Sequence, residues 1–560
     1  MSNIDRFSIV TLILFFLSTV FVIRPVSFHV PLPVVGRTRI TIGLMSAPII
    51  TIAILWAAQC LGPTQIRNGI VGTDDIKPYN ILILFISLAY MAITLDVTGI
   101  LQAAAFWVSN KGGDNGRKLF FYFYLLLTLI SMVVGNDPII LSGTAFLVYY
   151  TAATKLEPVA WLISEFAAAN TASMVLFVGN PTNVVICEGF RINNAAFTAY
   201  TILPFLACSV ACYAALAFQF RSPKHVPHRL ADLQKLNVRE VLQDPVSACF
   251  GSVLLLTCLI VVIVLSFLHV DVWKVTLPFA GAKFIFDLCW DHYRFTHDLI
   301  PKAREEDIMV KELQRAATKT NVLDESRTVT NTSTMPDPSQ PDAVYEKTGS
   351  LEGASPNASL TKNDTQATMV VKEEPRLFPR QRAWFDSKYD TLANHFPTFF
   401  TALPRLPFGL IPFAFSQFIL IEALSHQGWI EVFARWLVIA SGGQMIPSIW
   451  LIGVLGVILC NIAGTNIGAT ILLTKIVHAA PDFPDSSSRA AAIALAVASN
   501  IGAVSFTFSA SLAGLLWDSI LGSKGIKMKQ TTFAFWNMLP ILLMTGAGLA
   551  IVTAEMVVLY

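Results

Sequence analysis

Read for hydrophobic and polar positions, the chain is a succession of long apolar stretches separated by short polar breaks. Fourteen stretches stand out: 7–23, 41–61, 79–95, 119–135, 138–154, 159–179, 197–220, 246–270, 272–290, 403–424, 446–460, 467–480, 489–508 and 531–557. At 1.5 Å per residue, about 17 to 25 apolar residues in helical form match a hydrocarbon core of ~30 Å. The pattern therefore predicts an all-α polytopic membrane protein with roughly 11 to 13 membrane segments. The first stretch is long for a signal sequence and lacks a small-x-small cleavage site before Arg24, so it reads as a retained span.

One region differs. Residues 291–397 hold 14 basic and 17 acidic residues, leaving 45 charges for the other 453 positions. This segment, rich in Ser, Thr, Asp, Pro and Lys, lacks the apolar residues for a core and reads as a disordered hydrophilic linker. It separates an N-terminal half (1–290, with a first repeat over 79–220) from a C-terminal half (398–560, the second repeat). In the short loop 221–244, five basic residues against three acidic ones favour the cytoplasmic side, and two further spans return the linker to that side. The sequons at Asn331, Asn357 and Asn363 pull the other way.

The halves echo each other. Gly99 precedes Trp107 by eight residues and Gly428 precedes Trp436 by eight. The break Gly135-Asn136-Asp137-Pro138 pairs with Asn461 to Asn466, which includes Thr465, and Asn170-Thr171 pairs with Asn500-Ile501. The offsets are 329 for the glycines, 325 for Asn136 with Asn461, and 330 for Asn170 with Asn500. Such internal duplication marks secondary transporters, often with inverted topology.

The polar breaks are the candidate chemistry. Residues 119–154 are too long for one spanning helix, and Asp137 before Pro138 is good helix-start chemistry. At a membrane surface this is a tight turn; within the bilayer, the freed backbone and the carboxylate must face a polar cavity. The repetition of the interruption in the second half favours the cavity. Asn170 and Thr171 fall inside an apolar span, where amides and hydroxyls face protein or a cavity. Gly179-Asn180-Pro181-Thr182-Asn183 suits a re-entrant hairpin tip whose oxygens coordinate a cation while helix N-termini attract an anion; a surface loop is the alternative. Ser499, Asn500, Ser505, Thr507, Ser509 and Ser511 form the matching polar set.

Asp96 ends a span, where it either caps the next segment or joins the site, and Glu165 sits in an apolar span, protonated or paired. Four cations fall within the spans, Lys274, Lys283, Arg435 and Lys475, the last two near second-half hairpin elements.

Composition narrows the function classes. A net charge of +2 gives no basic face for nucleic acid. The eight cysteines show no CxxC pair and no His neighbour at ligand spacing, so neither a disulfide scaffold nor a zinc site is expected. No nucleophile-base or metal pattern appears in the spans, which argues against a membrane-embedded enzyme. A receptor that works through its linker leaves the duplicated breaks without a purpose.

The segment FAAANTASMVLFVGNPTNVVI is similar to the arsenical pump membrane protein pattern A-[DN]-T-A-S-x-x-x-x-x-S-N-x-x-N. ASNIGAVSFTFSASLAGLLW resembles that family's second-half pattern, GND at 135–137 its A-N-D at the first broken helix, LDVTGIL at 95–101 its L-D-x-x-G, and LQDP at 242–245 a shared interdomain feature. The resemblance covers nearly all of the chain outside the linker and extends to citrate carriers and sodium/proton antiporters of the ion transporter superfamily. It implies two inverted repeats, each with a broken helix and a re-entrant hairpin, and substrate held between the hairpins. Carried over by residue, it points to Asn136, Asp137, Asn170, Thr171, Asn180, Thr182 and Asn183, then to Asn461, Asn500, Thr507 and Ser511. Ala503, Phe508 and Ala510 stand where the family has prolines and a glycine, and Asn461-Ile-Ala-Gly464 stands where it has N-x-P-T.

The expected function is secondary transport of a small anion, foremost arsenite-like efflux against protons, with citrate or dicarboxylate uptake or sodium/proton exchange as rivals. No cofactor is expected beyond a coupling proton or sodium ion. The expected partners are the anionic or oxyanion solute, membrane lipid, a second copy in a homodimer and a soluble protein at the linker. Residence in the plasma membrane or an internal membrane such as the vacuole is expected.

Overall fold

The computed structural model describes residues 4–32, 36–73, 76–230, 235–268, 270–300, 309–310 and 379–560. The expected disorder and sequons of the linker fall mostly outside the described residues. At its borders, helix continues past 291 to Thr296 and begins again at Pro379.

The lead-in comprises α1 (Arg6–Ile23), a two-stranded antiparallel hairpin β1 (Val26–Leu32) and β2 (Gly36–Ile42), α2 (Ser46–Ala57) and α3 (Pro63–Val71). The hairpin was not foreseen, although Val26, Phe28, Ile40 and Ile42 alternate with polar residues at the strand period.

Seven helices follow: α4 (Pro78–Asp96), α5 (Ile100–Gly112), α6 (Gly116–Val134), α7 (Asn136–Ala153), α8 (Pro158–Ala172), α9 (Pro181–Gly189) and α10 (Asn194–Gln219). After α11 (Val238–Val241), α12 (Pro245–Ser266), α13 (Trp273–Thr296), α14 (Pro379–His395) and α15 (Pro397–Ala402), the same series recurs. It runs α16 (Leu410–His426), α17 (Trp429–Ser441), α18 (Met445–Ile462), α19 (Asn466–His478), α20 (Asp485–Val504), α21 (Leu512–Ser523) and α22 (Gln530–Leu559). Within LQDP, Asp244 caps α12 by accepting from the Ser247 N–H at 3.0 Å, with Pro245 at the first helical position.

The glycines explain why the series repeats. Gly99 (φ +83°) and Gly428 (φ +79°) reverse the chain after α4 and α16, and Gly135 (φ +84°) and Gly464 (φ +85°) do so between the third and fourth helices. Only glycine adopts this conformation without strain. Both fifth helices lead into a short 3-10 turn, Phe177–Gly179 or Phe508–Ala510.

These reversals correct the expected roles of the two interruptions. Phe123 on α6 meets Phe146 and Tyr150 on α7, with ring centroids 5.7 and 5.5 Å apart, and Leu127 packs on Gly143. The partners lie at similar distances from Gly135, so α6 and α7 are antiparallel arms of a hairpin with Asn136-Asp137 at its tip. In the second series Leu473 reaches Gly456 across Gly464 in the same way. By contrast α8 packs on α6 and α7, whereas α9 departs to pack on α19 and α20, so Gly179–Asn183 belongs to a broken helix and not to a hairpin tip.

Nine helices among the described residues are long and apolar enough to cross a membrane. α8 and α20 are sheathed by the others, and every residue from Ala490 to Val504 is buried. Alanine and glycine permit this closeness: Gly456 lies against Ala498, and Gly502 against Cys460.

Candidate functional site

Four helix N-termini meet at one narrow cleft with about 250 Å³ of space unoccupied by atoms. Asn136 and Asp137 open α7, Pro181 opens α9 behind its cap Asn180, Asn466 and Ile467 open α19, and Leu512 and Ala513 open α21 behind its cap Ser511; Phe85 of α4 completes the lining. The caps each occupy one donor. Asn180 accepts from the Thr182 N–H (3.2 Å), Thr465 from Gly468 (3.3 Å) and Ser511 from Gly514 (3.0 Å). The N–H groups of Asn136 and Asp137, Asn466 and Ile467, and Leu512 and Ala513 have no partner within their own helices, whereas the first turn of α9 is satisfied, Pro181 having no N–H and Asn183 donating to Asn180 O at 3.0 Å. Each helix dipole places partial positive charge at this end. Such a cradle suits anionic or strongly hydrogen-bond-accepting atoms.

The lining includes no lysine or arginine. Its one ionisable side chain is Asp137, whose carboxylate has neither a hydrogen bond nor an ion pair among the described residues. A carboxylate beside a cradle of N–H groups offers a proton or cation site next to an anion site.

Behind the cleft, amides join the two halves. Asn136 donates to Asn170 Oδ1 at 3.1 Å. Asn500 Oδ1 accepts from Ser173 Oγ (2.9 Å) and Asn180 Nδ2 (3.2 Å), and Asn500 Nδ2 donates to Asn183 Oδ1 at 2.8 Å. Thr182 Oγ1 accepts from Ser499 Oγ at 3.2 Å.

The remaining expected residues lie apart from the cleft. Thr171 bonds its own helix at Ala167 O and packs on Met544. Asn461 accepts from the Phe506 N–H at 2.7 Å, fixing the approach to the second break, where Ser505 Oγ donates to Thr507 O and Ser509 lies 3.5 Å from Thr507 Oγ1. The partner of Asn136 is therefore Asn466, 330 residues on, and not Asn461; this offset equals that of Asn170 and Asn500. The absence of the family's prolines and glycine at 503, 508 and 510 leaves the break intact, because Ser505 takes φ +51° and Ser511 supplies the cap.

Asp96 is not a cap. Gly99 occupies the position before α5, while the wholly buried Asp96 carboxylate accepts from Ser142 and faces Arg405 at 3.4 Å. Glu165 accepts from Thr144 Oγ1 (2.9 Å) and Trp517 Nε1 (3.3 Å), joining α7, α8 and α21. Of the four cations within the expected spans, Lys274 pairs with Asp271 (2.8 Å), Lys283 with Asp287 and Lys475 with Glu422 (3.0 Å), while Arg435 is exposed. None lines the cleft. Sequence reasoning missed Phe85 and Ile467 there, since an apolar residue carries no mark of what it lines. Ser173 was visible within the quoted A-N-T-A-S motif.

An arsenical pump membrane protein of Escherichia coli is 25% identical over 237 residues, covering 41% of this chain and 55% of that protein. An uncharacterized transporter of Mycobacterium tuberculosis is 22% identical over 274 residues, 46% of this chain and 64% of its own. The chain thus spans about half the length of the curated relatives it matches. The solved Alcanivorax borkumensis YdaH transporter aligns over 98% of this chain and 97% of its own with 12% identity and a TM-score of 0.45. The citrate transporter family matches residues 8–292, just over half of the chain. With that match and its many long apolar helices, the chain is an integral membrane protein that belongs to the citrate transporter family.

Proposed function

We propose that the protein is a secondary carrier that moves a small anion or metalloid oxyanion through the cleft by alternating access. The observation that carries this reading is the convergence of four helix N-termini, two from each series, on a lining with a single carboxylate. The packing supports an internal two-fold relation: α7 lies on α21 while α19 lies on α9, and α8 meets α22 while α20 meets α10. In the carrier reading this axis lies in the membrane plane and inverts one series relative to the other. Each hairpin thereby closes against the broken helix of the other series, and a rocking motion of these elements exposes the cradle alternately to the two sides.

The solute that fits best is arsenite-like, exported against protons. Its oxygens accept from the helix N-termini, Asn136, Asn180 and Asn466 supply amides, and Asp137 carries the proton. Citrate or dicarboxylate uptake is the second reading, supported by the family match; it lacks a cationic side chain in the lining to meet several carboxylates.

Proteoliposomes test both. With arsenite on one side, the wild-type protein dissipates an imposed pH gradient, and Asp137→Asn slows this coupled flux by about 10²-fold, on the scale of losing one charge centre in a low-dielectric site. An Asp137→Asn protein with undiminished proton-coupled flux removes the carboxylate from the mechanism. Citrate flux without arsenite flux selects the second reading.

A further inference from the structure

We infer that Arg405, which lies outside both helical series, is a positioning residue that fixes the α6–α7 hairpin through Asp96 and Ser142. Asp96 ends α4 with its side chain wholly buried. One carboxylate oxygen accepts from the hydroxyl of Ser142 on α7, five residues beyond Asp137, and the other faces Arg405 Nη1 at 3.4 Å. Gln102 Nε2 donates to the same Ser142 Oγ at 3.2 Å.

Arg405 sits on the 3-10 turn that follows α15, and this segment is itself strapped down. The carboxylate of Asp291 on α13 accepts from the Thr398 N–H (2.8 Å) and from Thr398 Oγ1 (2.9 Å), while Ala402 and Leu406 pack on Ala89, Tyr90 and Ile93 of α4. The strap therefore delivers a guanidinium to a fixed place beside Asp96.

The second series makes the same kind of tie from its own residues. Glu422 of α16 meets Lys475 of α19, so scaffold acid and hairpin cation are both internal to that series. In the first series the hairpin contributes only a neutral hydroxyl, and the cation comes from the strap. A buried carboxylate deprived of its cation is costly and takes up a proton. Arg405 thus faces the same carboxylate that accepts from Ser142, and the strap sets how readily the first hairpin leaves α4. This rests on the reading that the hairpins move during transport.

The test uses the full-length protein in nanodiscs, with hydrogen exchange followed across α7 and α19 and arsenite flux measured separately in liposomes. Arg405→Gln raises exchange in the first turns of α7 by about fivefold or more, the scale of one lost tie, and leaves α19 unchanged. Arg405→Lys keeps the charge and returns exchange to within about twofold of wild type. Ser142→Ala, which leaves the ion pair in place, loosens α7 in the same way and keeps the test open should Arg405→Gln fail to fold. Unchanged exchange in α7, or an equal rise in α19, overturns the proposal. Exchange needs no solute, so an absence of arsenite flux counts against the transport reading alone.

Discussion

At matched places on the two hairpins, Asn136 is followed by Asp137 and Asn466 by Ile467, and at the two broken helices the caps are Asn180 and Ser511. The backbone features agree closely: left-handed glycines at the same turns, a 3-10 turn after each fifth helix and a capped sixth helix. The side chains that bear charge or bulk do not. The lining thus combines a nearly symmetric set of backbone donors with one carboxylate on one side. The grooves beside the hairpins differ likewise. The one at α5 contains Gln102 and Ser142 and about 390 Å³ of empty space, whereas the one at α17 is apolar, about 750 Å³, and bordered by Phe15 and Phe16 of α1. Duplication supplied the frame, which depends on backbone conformation; the copies then diverged where side chains decide what is held and what is tied down.

The largest expected effect concerns the ties. Lys475 and Glu422 are nearly buried and also share Thr73, whose hydroxyl is 2.7 Å from the ammonium. Removing the cation in Lys475→Met leaves a buried carboxylate with neutral partners only and costs about 3 to 5 kcal/mol of stability. Glu422→Gln added to it recovers a large part, because the stranded charge is gone. Denaturant titration in mixed micelles measures both proteins; equal stability of the single and double variants means that a stranded charge at Glu422 is not what the loss of the cation costs.

The amides come next. Asn500 is bonded to Ser173, Asn180 and Asn183 of the first series, whereas the side-chain oxygen of Asn170 is bonded to Asn136 within its own series. Asn500→Ala strands two buried partners, Asn180 and Asn183, at about 1 kcal/mol or more each, because Ser173 Oγ keeps Asn170 O at 2.8 Å; Asn170→Ala strands one. The same titration should therefore rank Asn500→Ala about 1 kcal/mol or more below Asn170→Ala. A reversed order means that the halves are not held together through Asn500.

Much of this frame was legible in the chain. Each of the fourteen apolar stretches contains a helix, because burying a backbone in lipid demands helix wherever apolar runs are long enough, although 41–61 opens on the end of β2 and 159–179 and 489–508 run on into the breaks. The short helices α5, α9, α17 and α21 were not delimited, since pieces of 9 to 13 residues blur into their neighbours. The interruptions were found but their geometry was exchanged. A hairpin tip and a helix break both read as apolar, polar, apolar, and it takes packing across the interruption, such as that of Phe123 on Phe146, to separate them. Asn461 and Asn466 are both amides in one break, so residue type alone left the register open by five positions. The ties at Asp96 and Lys475 depend on partners more than 50 positions away, Arg405 and Glu422, and no local pattern announces such contacts.

The smallest effect tests how differently the two hairpin turns are enclosed. Gly135 and Gly464 share the left-handed conformation, so an alanine at either costs about 1 kcal/mol from backbone strain. The surroundings differ. A methyl group at 135 has Gly179 O at 3.4 Å as its near neighbour, an ordinary contact, whereas one at 464 meets Val22 at 3.2 Å and Thr19 at 3.4 Å on α1. Because α1 is also held to the second series by the Trp429 indole bond to Ser8 O (2.8 Å), it has little freedom to withdraw. Gly464→Ala should therefore be less stable than Gly135→Ala by several tenths to about 1 kcal/mol, within the usual cost of overpacking. Trimming the obstacle with Val22→Ala should narrow that gap. If the two alanine variants melt together and the trimming changes nothing, α1 does not enclose the second hairpin turn, and the asymmetry of the copies is confined to the charged positions.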